Sequence, residues 1–201
     1  LSLCGAFQVE NAVCVLNVLQ ILQKKYPKIT KATIQHGLAH TTWHGRLERL
    51  GTEPDFYLDG AHNEDAVRKL RKTRAIKDDV SLVIVTFNCG NDFEFHQKKY
   101  EDCFKDYEKM IRMMFRPGDH VYTVTPQNPR ALDGKELEKQ LLEQKIAARY
   151  CENVQDAVLY ALRYAQKDDM ILAFGSLSYL RNVREAYESV MIALEQEKID
   201  L

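Results

Sequence analysis

The stretch "YLDGAHNEDAVRKL", Tyr57 to Leu70, indicates the fold because a short apolar run passes directly into a charged helix. Asp59 stands where the run ends, Gly60 permits a tight backbone path, and Asn63 is a natural N-cap for the helix. A strand that leads straight into a helix is the repeating unit of α/β proteins. Because such proteins bind ligands outside the carboxyl ends of their strands, this junction is a candidate site.

The same alternation continues to the end of the chain. Apolar runs predict strands at Ser81 to Phe87, His120 to Thr125, Ile146 to Tyr150 and Met170 to Phe174. Helical patterns follow them or lie between them, at Glu64 to Ile76, Tyr100 to Phe115, Gly134 to Gln144, Val154 to Gln166 and Leu180 to Leu194. We therefore predict an α/β fold with an open, mostly parallel sheet and helices on both faces.

The first forty residues have a different character. They predict a long helix from Gln8 to Lys25 and a short one from Lys31 to His36, which Gly37 is expected to end. After Trp43 the pattern changes to two short strands, Arg46 to Leu50 and Asp55 to Leu58. We place a domain boundary between residues 1–41 and 42–201. The chain begins without methionine and almost at once enters a helix, so we expect it to continue a longer protein.

The composition excludes several classes of function. The 201 residues carry 28 Lys and Arg against 29 Asp and Glu, and this balance offers no basic field for nucleic acid. No apolar run approaches the length of a membrane span, so we expect no membrane partner. The five cysteines form no CxxC pair, which argues against a disulfide framework or a zinc site and favours the cytoplasm.

Arg46 and Asp59 are the first candidates for ligand contacts. Adjacent strands would bring both side chains to one rim, where the guanidinium suits phosphate oxygens. Asp59 would accept a hydrogen bond from a ribose hydroxyl or hold a metal-bound water. The structural alternatives are a surface Arg46 paired with Glu48 or Asp59, an Asp59 that caps backbone groups, and a His62 that only packs.

Six ordered segments resemble one known family. They are "GAFQVENAV" (Gly5 to Val13), "WHGRLE" (Trp43 to Glu48), "LDGAHN" (Leu58 to Asn63), "KDYEKM" (Lys105 to Met110), "VTPQNPRAL" (Val124 to Leu132) and "AFGSLSYLRNVR" (Ala173 to Arg184). Together they resemble the C-terminal part of folylpolyglutamate synthase/dihydrofolate synthase, in the Mur ligase superfamily. The resemblance covers nearly the whole chain and implies the Rossmann-like fold of the Mur ligase C-terminal domain.

The resemblance implies an ATP-dependent ligase that adds L-glutamate to folate or dihydropteroate through an acyl phosphate. By matching motif, Asn11, Arg46 and Asp59 are the implied ATP contacts, and His62 and Ser176 are the implied glutamate contacts. It assigns no catalytic residue and no metal ligand to this chain. From the pattern alone, Ser176 is equally suited to cap the last helix, and Asn11 would ordinarily be solvated.

The chain contains no GxxxxGK[ST] phosphate loop. In the family that loop and most Mg²⁺ contacts belong to a preceding ATPase domain, whose tail would be residues 1–41. We therefore expect these 201 residues to be inactive alone. The stretch Asn88 to Phe104 is interpreted as a solvated insertion. Two alternatives remain, a noncatalytic nucleotide- or amino-acid-binding module and a muramyl-type amino-acid ligase domain.

Overall fold

The computed structural model of the protein describes residues 1–3, 5–74, 81–85, 100–127 and 131–199. Its strands are β1 (Glu48–Thr52), β2 (Asp55–Asp59), β3 (Ser81–Val85), β4 (His120–Val124), β5 (Ala147–Cys151) and β6 (Met170–Phe174). Its helices are α1 (Ala6–Gln23), α2 (Lys31–His40), α3 (Glu64–Arg74), α4 (Tyr100–Met114), α5 (Gly134–Glu143), α6 (Val154–Tyr164) and α7 (Leu177–Ile199).

The strands form one sheet in the order β1-β2-β6-β3-β4-β5. Only the β1–β2 pair of this sheet is antiparallel, and every other neighbouring pair is parallel. β2 and β6 are neighbours with Asp59 opposite Phe174, so both strands end at the same edge of the sheet. The predicted open, mostly parallel sheet is confirmed.

Helices cover both faces of the sheet, as predicted. On one face Val67, Ile111 and Leu137, from α3, α4 and α5, share a buried cluster with Leu172 and Phe174. On the other face, side chains of α6 and α7 pack against alternate positions of the same strands, including Ile84, Ile171, Ala173, Val158, Tyr179 and Val183. Successive strand residues point to opposite faces, and both faces are covered, which is why β6, between β2 and β3, is apolar and buried at every position.

Several predicted ends of elements differ from the structure. α2 does not end at His36 but continues through Gly37 to His40, where the Thr41 hydroxyl donates to the Gly37 carbonyl at 2.6 Å. α7 begins at Leu177 rather than Leu180, directly after Ser176, whose hydroxyl accepts the Ser178 N–H. The predicted ends of β3 at Phe87 and of α3 at Ile76 lie outside the described residues.

The first strand was predicted from Arg46 but begins at Glu48. Gly45 and Leu47 both have positive φ values, 71° and 47°, which no extended strand allows. Arg46 therefore lies in a turn and not in the sheet.

α1 is apolar on most sides yet largely exposed. Gln8 is the only buried residue of this helix, while Val9 is 59% and Ile21 70% exposed. None of the described helices combines the length and the apolar character needed to cross a membrane. The boundary between residues 1–41 and 42–201 stays a prediction. Of the predicted insertion, residues 88–99 lie outside the described part of the chain, and Tyr100 already begins α4.

Candidate functional site

A cavity of about 550 Å³ opens between α1, α3 and the turn that precedes β1. We call that turn, residues 43–47, the Arg46 turn. Four of the five predicted site residues line the cavity, namely Asn11, Arg46, Asp59 and His62. Its volume is in the range of pockets that hold small ligands.

The antiparallel hairpin explains why Arg46 and Asp59 meet. With Glu48 opposite Leu58, the beginning of β1 lies beside the end of β2. The Leu47 N–H donates to Oδ2 of Asp59 at 2.9 Å, which ties the Arg46 turn to the end of β2. The Gly60 N–H adds a second tie, donating to the Gly45 carbonyl at 2.8 Å.

Asp59 is a buried carboxylate, only 3% exposed, that is oriented by backbone donors. Besides the Leu47 N–H at Oδ2, the Ala61 N–H donates to Oδ1 at 2.8 Å. Burial raises the pKa of Asp59 above its ordinary value, although the two N–H groups and the Arg46 charge act in the opposite direction. Each oxygen keeps a further lone pair for a ligand hydroxyl. The capping alternative therefore describes part of its role, and a ligand contact remains compatible with it.

His62 and Asn63 continue the same junction. Nδ1 of His62 lies 2.8 Å from the Gly60 carbonyl, which only accepts hydrogen bonds, so Nδ1 carries a proton. In the neutral ring Nε2 is then an acceptor. Asn63 accepts the Ala66 N–H at 2.9 Å and caps α3, as predicted.

Asn11 enters the cavity from α1. Its Nδ2 donates to Oε1 of Gln8 at 2.9 Å, and Gln8 is buried. In this orientation of the two amides, Oδ1 of Asn11 is the atom left for a ligand donor. Asn11 itself is exposed, so the solvated alternative remains compatible with the structure and the ATP contact stays a prediction.

Ser176 does not line the cavity. It follows β6 at the same edge of the sheet, one strand away from Asp59. Its Oγ lies 2.8 Å from Oγ of Ser178 and accepts the Ser178 N–H at 3.3 Å, the geometry of an N-cap of α7. The structure thus favours the capping role for this hydroxyl, and the glutamate contact stays a prediction.

Several residues that line the cavity were missed by sequence reasoning, among them Trp43 and Lys69. Nζ of Lys69 lies 3.0 Å from Oδ2 of Asp65, which also lines the cavity, so the two charges offset each other at the rim. Its signal was available, because Asn63, Ala66 and Lys69 recur at a spacing of three and share one face of a helix. Trp43 carried no such signal, since its place depends on the path of the Arg46 turn.

From the sequence, no metal ligand was assigned to this chain, and that stays a prediction. Among residues 1–3, 5–74, 81–85, 100–127 and 131–199, no three His, Cys, Asp or Glu side chains stand close enough together to hold an ion.

Comparisons with known proteins agree with the fold. Residues 45–177 match the family described as Mur ligase, glutamate ligase domain. The chain is 27% identical to the dihydrofolate synthase/folylpolyglutamate synthase of Bacillus subtilis over 186 residues, 92% of this chain and 40% of that protein. It is 30% identical over 185 residues to the UDP-N-acetylmuramoyl-L-alanyl-D-glutamate–2,6-diaminopimelate ligase of Caldanaerobacter subterraneus, 87% of this chain and 34% of that protein.

Among solved structures, Mycobacterium tuberculosis folylpolyglutamate synthase complexed with ADP superposes with a TM-score of 0.75 at 22% identity. The match covers 93% of this chain and 41% of that one. The likeness shows a shared fold. The chain thus spans less than half the length of the proteins it matches.

Proposed function

Because the chain belongs to the Mur ligase family through its glutamate ligase domain, we propose that it is the C-terminal part of an ATP-dependent ligase that adds L-glutamate to folate or dihydropteroate. The observation that carries the proposal is the single cavity in which Asn11, Arg46, Asp59 and His62 meet. The B. subtilis relative bears the name of that activity.

The cavity has the chemistry of a nucleotide site. The Arg46 guanidinium suits phosphate oxygens, and Asp59, oriented by two backbone N–H groups, suits a ribose hydroxyl. Oδ1 of Asn11 would accept a hydrogen bond from a base. The apolar side chains of Phe7, Leu38 and Trp43, among others on the wall, provide a surface for a flat ring. The ADP complex of the mycobacterial relative supports this assignment.

The incoming amino acid is assigned to the neighbouring edge. Nε2 of His62 would accept from the amine of glutamate, and the hydroxyl of Ser176 would donate to a carboxylate. A carboxylate of the folate does not react with an amine until one oxygen becomes a good leaving group, which phosphoryl transfer from ATP provides. Arg46 would offset the negative charge that this transfer concentrates.

Residues 1–41 are assigned to the tail of a preceding ATPase domain in the same protein. The exposed apolar side chains of α1, such as Val9, Val13 and Ile21, suit a helix that a further domain covers. The phosphate loop and the Mg²⁺ ligands are assigned to that domain. The free thiols of Cys14 and Cys151 support a reducing cytoplasm.

The test is an assay of ATP consumption by the longer protein with glutamate and either folate or dihydropteroate. Arg46→Ala should lower turnover by roughly an order of magnitude or more, as expected when a charge-stabilising donor is lost. Arg181→Ala is the matched control, because Arg181 is 85% exposed on α7 and pairs with Glu185. Equal kinetics for both variants would remove Arg46 from the site.

The second candidate is a muramyl-type amino-acid ligase, favoured by the 30% identity to the diaminopimelate ligase. The same assay with UDP-N-acetylmuramoyl-L-alanyl-D-glutamate and 2,6-diaminopimelate distinguishes the two ligases. Turnover with that pair and none with folates would replace the first proposal. ATP binding without turnover on either substrate would indicate the noncatalytic module.

A further inference from the structure

The backbone of the Arg46 turn has a conformation that is unfavourable for the leucine at position 47. Gly45 has a φ of 71° and Leu47 a φ of 47°. A leucine in the left-handed region is uncommon and persists only where the surrounding structure holds it there. The conformation aims the Leu47 N–H at Asp59, so whatever holds the turn also shapes the cavity.

Glu48, the residue after the turn, contacts both the turn and α7. Its Oε2 accepts the Gly45 N–H at 2.9 Å and lies 2.5 Å from Nη2 of Arg184, while Oε1 lies 2.9 Å from Nδ1 of His44. Partial burial alone would raise the pKa of Glu48, but the hydrogen bonds from Arg184, His44 and Gly45 outweigh it and lower the pKa to about 2. The side chain is 17% exposed and remains an anion at neutral pH.

Arg184 approaches from α7, which also packs on the glycines of the site. A Cβ on Gly45 would lie 2.7 Å from Cδ1 of Leu180, and one on Gly60 would lie 2.3 Å from Cδ2 of Leu177. Leu177, Leu180 and Arg184 follow a spacing of three and four, so they share one face of the helix. This face of α7 therefore packs against Gly45 in the Arg46 turn and pairs with Glu48, the residue that follows the turn.

We propose that Glu48 and Arg184 are positioning residues, an ion pair that fixes the Arg46 turn on α7 and thereby places the Arg46 guanidinium in the cavity. Neither residue lines that cavity. Loss of the Glu48 carboxylate weakens the acceptor of the Gly45 N–H, and loss of Arg184 releases Glu48 from α7. In either case the turn can leave its left-handed conformation, while the sheet and its two cores keep their contacts. The consequence for nucleotide binding rests on the function proposed above, whereas the consequence for the turn does not.

Trp43, the only tryptophan of the chain, is a reporter at the start of the turn. It is 64% exposed, so its fluorescence anisotropy and acrylamide quenching report local mobility. In the 201-residue chain, Glu48→Gln and Arg184→Gln should each lower the anisotropy and raise the quenching constant. Arg181→Gln, which removes an exposed pair on the same helix, should change neither. The effect of the double variant should be smaller than the sum of the two single effects, because both variants remove the Glu48–Arg184 contact.

Kinetics of the longer protein provide the second readout. Both variants should lower kcat/KM for ATP about tenfold to a hundredfold, since misplacing a contact by about 1 Å costs up to about a hundredfold. The KM for glutamate should stay the same, and Arg184→Lys should restore part of the loss. The lysine variant also serves if a glutamine variant fails to fold.

The outcomes separate this inference from the proposed function. Unchanged fluorescence in both variants, with unchanged kinetics for ATP, overturns the positioning role. A mobile Trp43 with unchanged kinetics for ATP supports the positioning role and refutes the assignment of Arg46 to ATP. Additive effects in the double variant would show that the two residues act separately, which also overturns the inference.

Discussion

Asp59→Asn should destabilise the fold by an amount that follows from two hydrogen bonds. The carboxylate accepts the N–H groups of Leu47 and Ala61, one at each oxygen, and is almost fully buried. An asparagine has one oxygen, so its NH₂ group must face one of these donors. A buried donor left without an acceptor costs about 1–3 kcal/mol.

One effect offsets part of this cost. Burial raises the pKa of Asp59, which means that the folded protein holds the charged form at some expense. The neutral amide avoids that expense, so the loss should fall in the lower part of the range, about 1–2 kcal/mol. For a chain of this size that is a decrease in Tm of about 2–8 °C.

Thermal unfolding monitored by far-UV circular dichroism measures the change in Tm. Unfolding in urea at 25 °C measures the loss in the free energy of unfolding. Asp65→Asn is the matched control, since it makes the same chemical change at the rim of the same cavity. Asp65 is exposed, and its pairs with Lys69 and Arg68 are surface ion pairs that contribute little. The reasoning is refuted if Asp59→Asn has the same Tm as the unsubstituted chain, or if both variants lose the same free energy of unfolding.

Three further predictions concern the described elements. Glu48→Gln should lower Tm at pH 7. The difference in Tm from the unsubstituted chain should disappear as the pH falls from 4.5, the ordinary pKa of a glutamate, towards about 2, because a pKa lowered in the folded state gives stability that protonation removes. A difference in Tm that does not depend on pH would contradict this. Tyr179→Phe should cost about 0.5–1.5 kcal/mol in urea unfolding, since the buried hydroxyl lies 2.6 Å from the Phe174 carbonyl and 3.0 Å from that of Ile84, and an unchanged midpoint would show that neither contact matters. Thr30→Ala, which removes the capping box of α2, should cost about 0.5–2 kcal/mol and reduce the helical circular dichroism signal, whereas full retention of that signal would argue against the cap.

The architecture was predictable because its signals are local and repeated. A strand that is covered on both faces is a continuous apolar run, so a stretch such as Met170 to Phe174 can be recognised from its own sequence. The meeting of Arg46 and Asp59 was predictable as well, because a short hairpin brings its two ends together. These features depend on residues close in sequence.

The rest depended on contacts between distant segments. The start of the first strand was predicted two residues too early because Leu47 has a left-handed backbone. Asp59 and the Glu48 contacts hold that conformation, which no sequence pattern indicates. Ser176 could not be assigned between a cap and a ligand contact, since both need the same hydroxyl at the same place. Trp43 lines the cavity because of the path of the Arg46 turn, which no sequence pattern indicates.

The reversed first strand has a consequence for how the site forms. A parallel neighbour of β2 would have needed a long crossover to reach this edge, whereas β1 reaches it through a tight hairpin at residues 53–54. Arg46, Asp59 and His62 therefore belong to one continuous segment of about twenty residues, and short-range loop closure is fast compared with pairing of distant strands. This corner is expected to assemble early in folding and to keep its geometry when loops elsewhere along the sheet gain or lose residues during evolution.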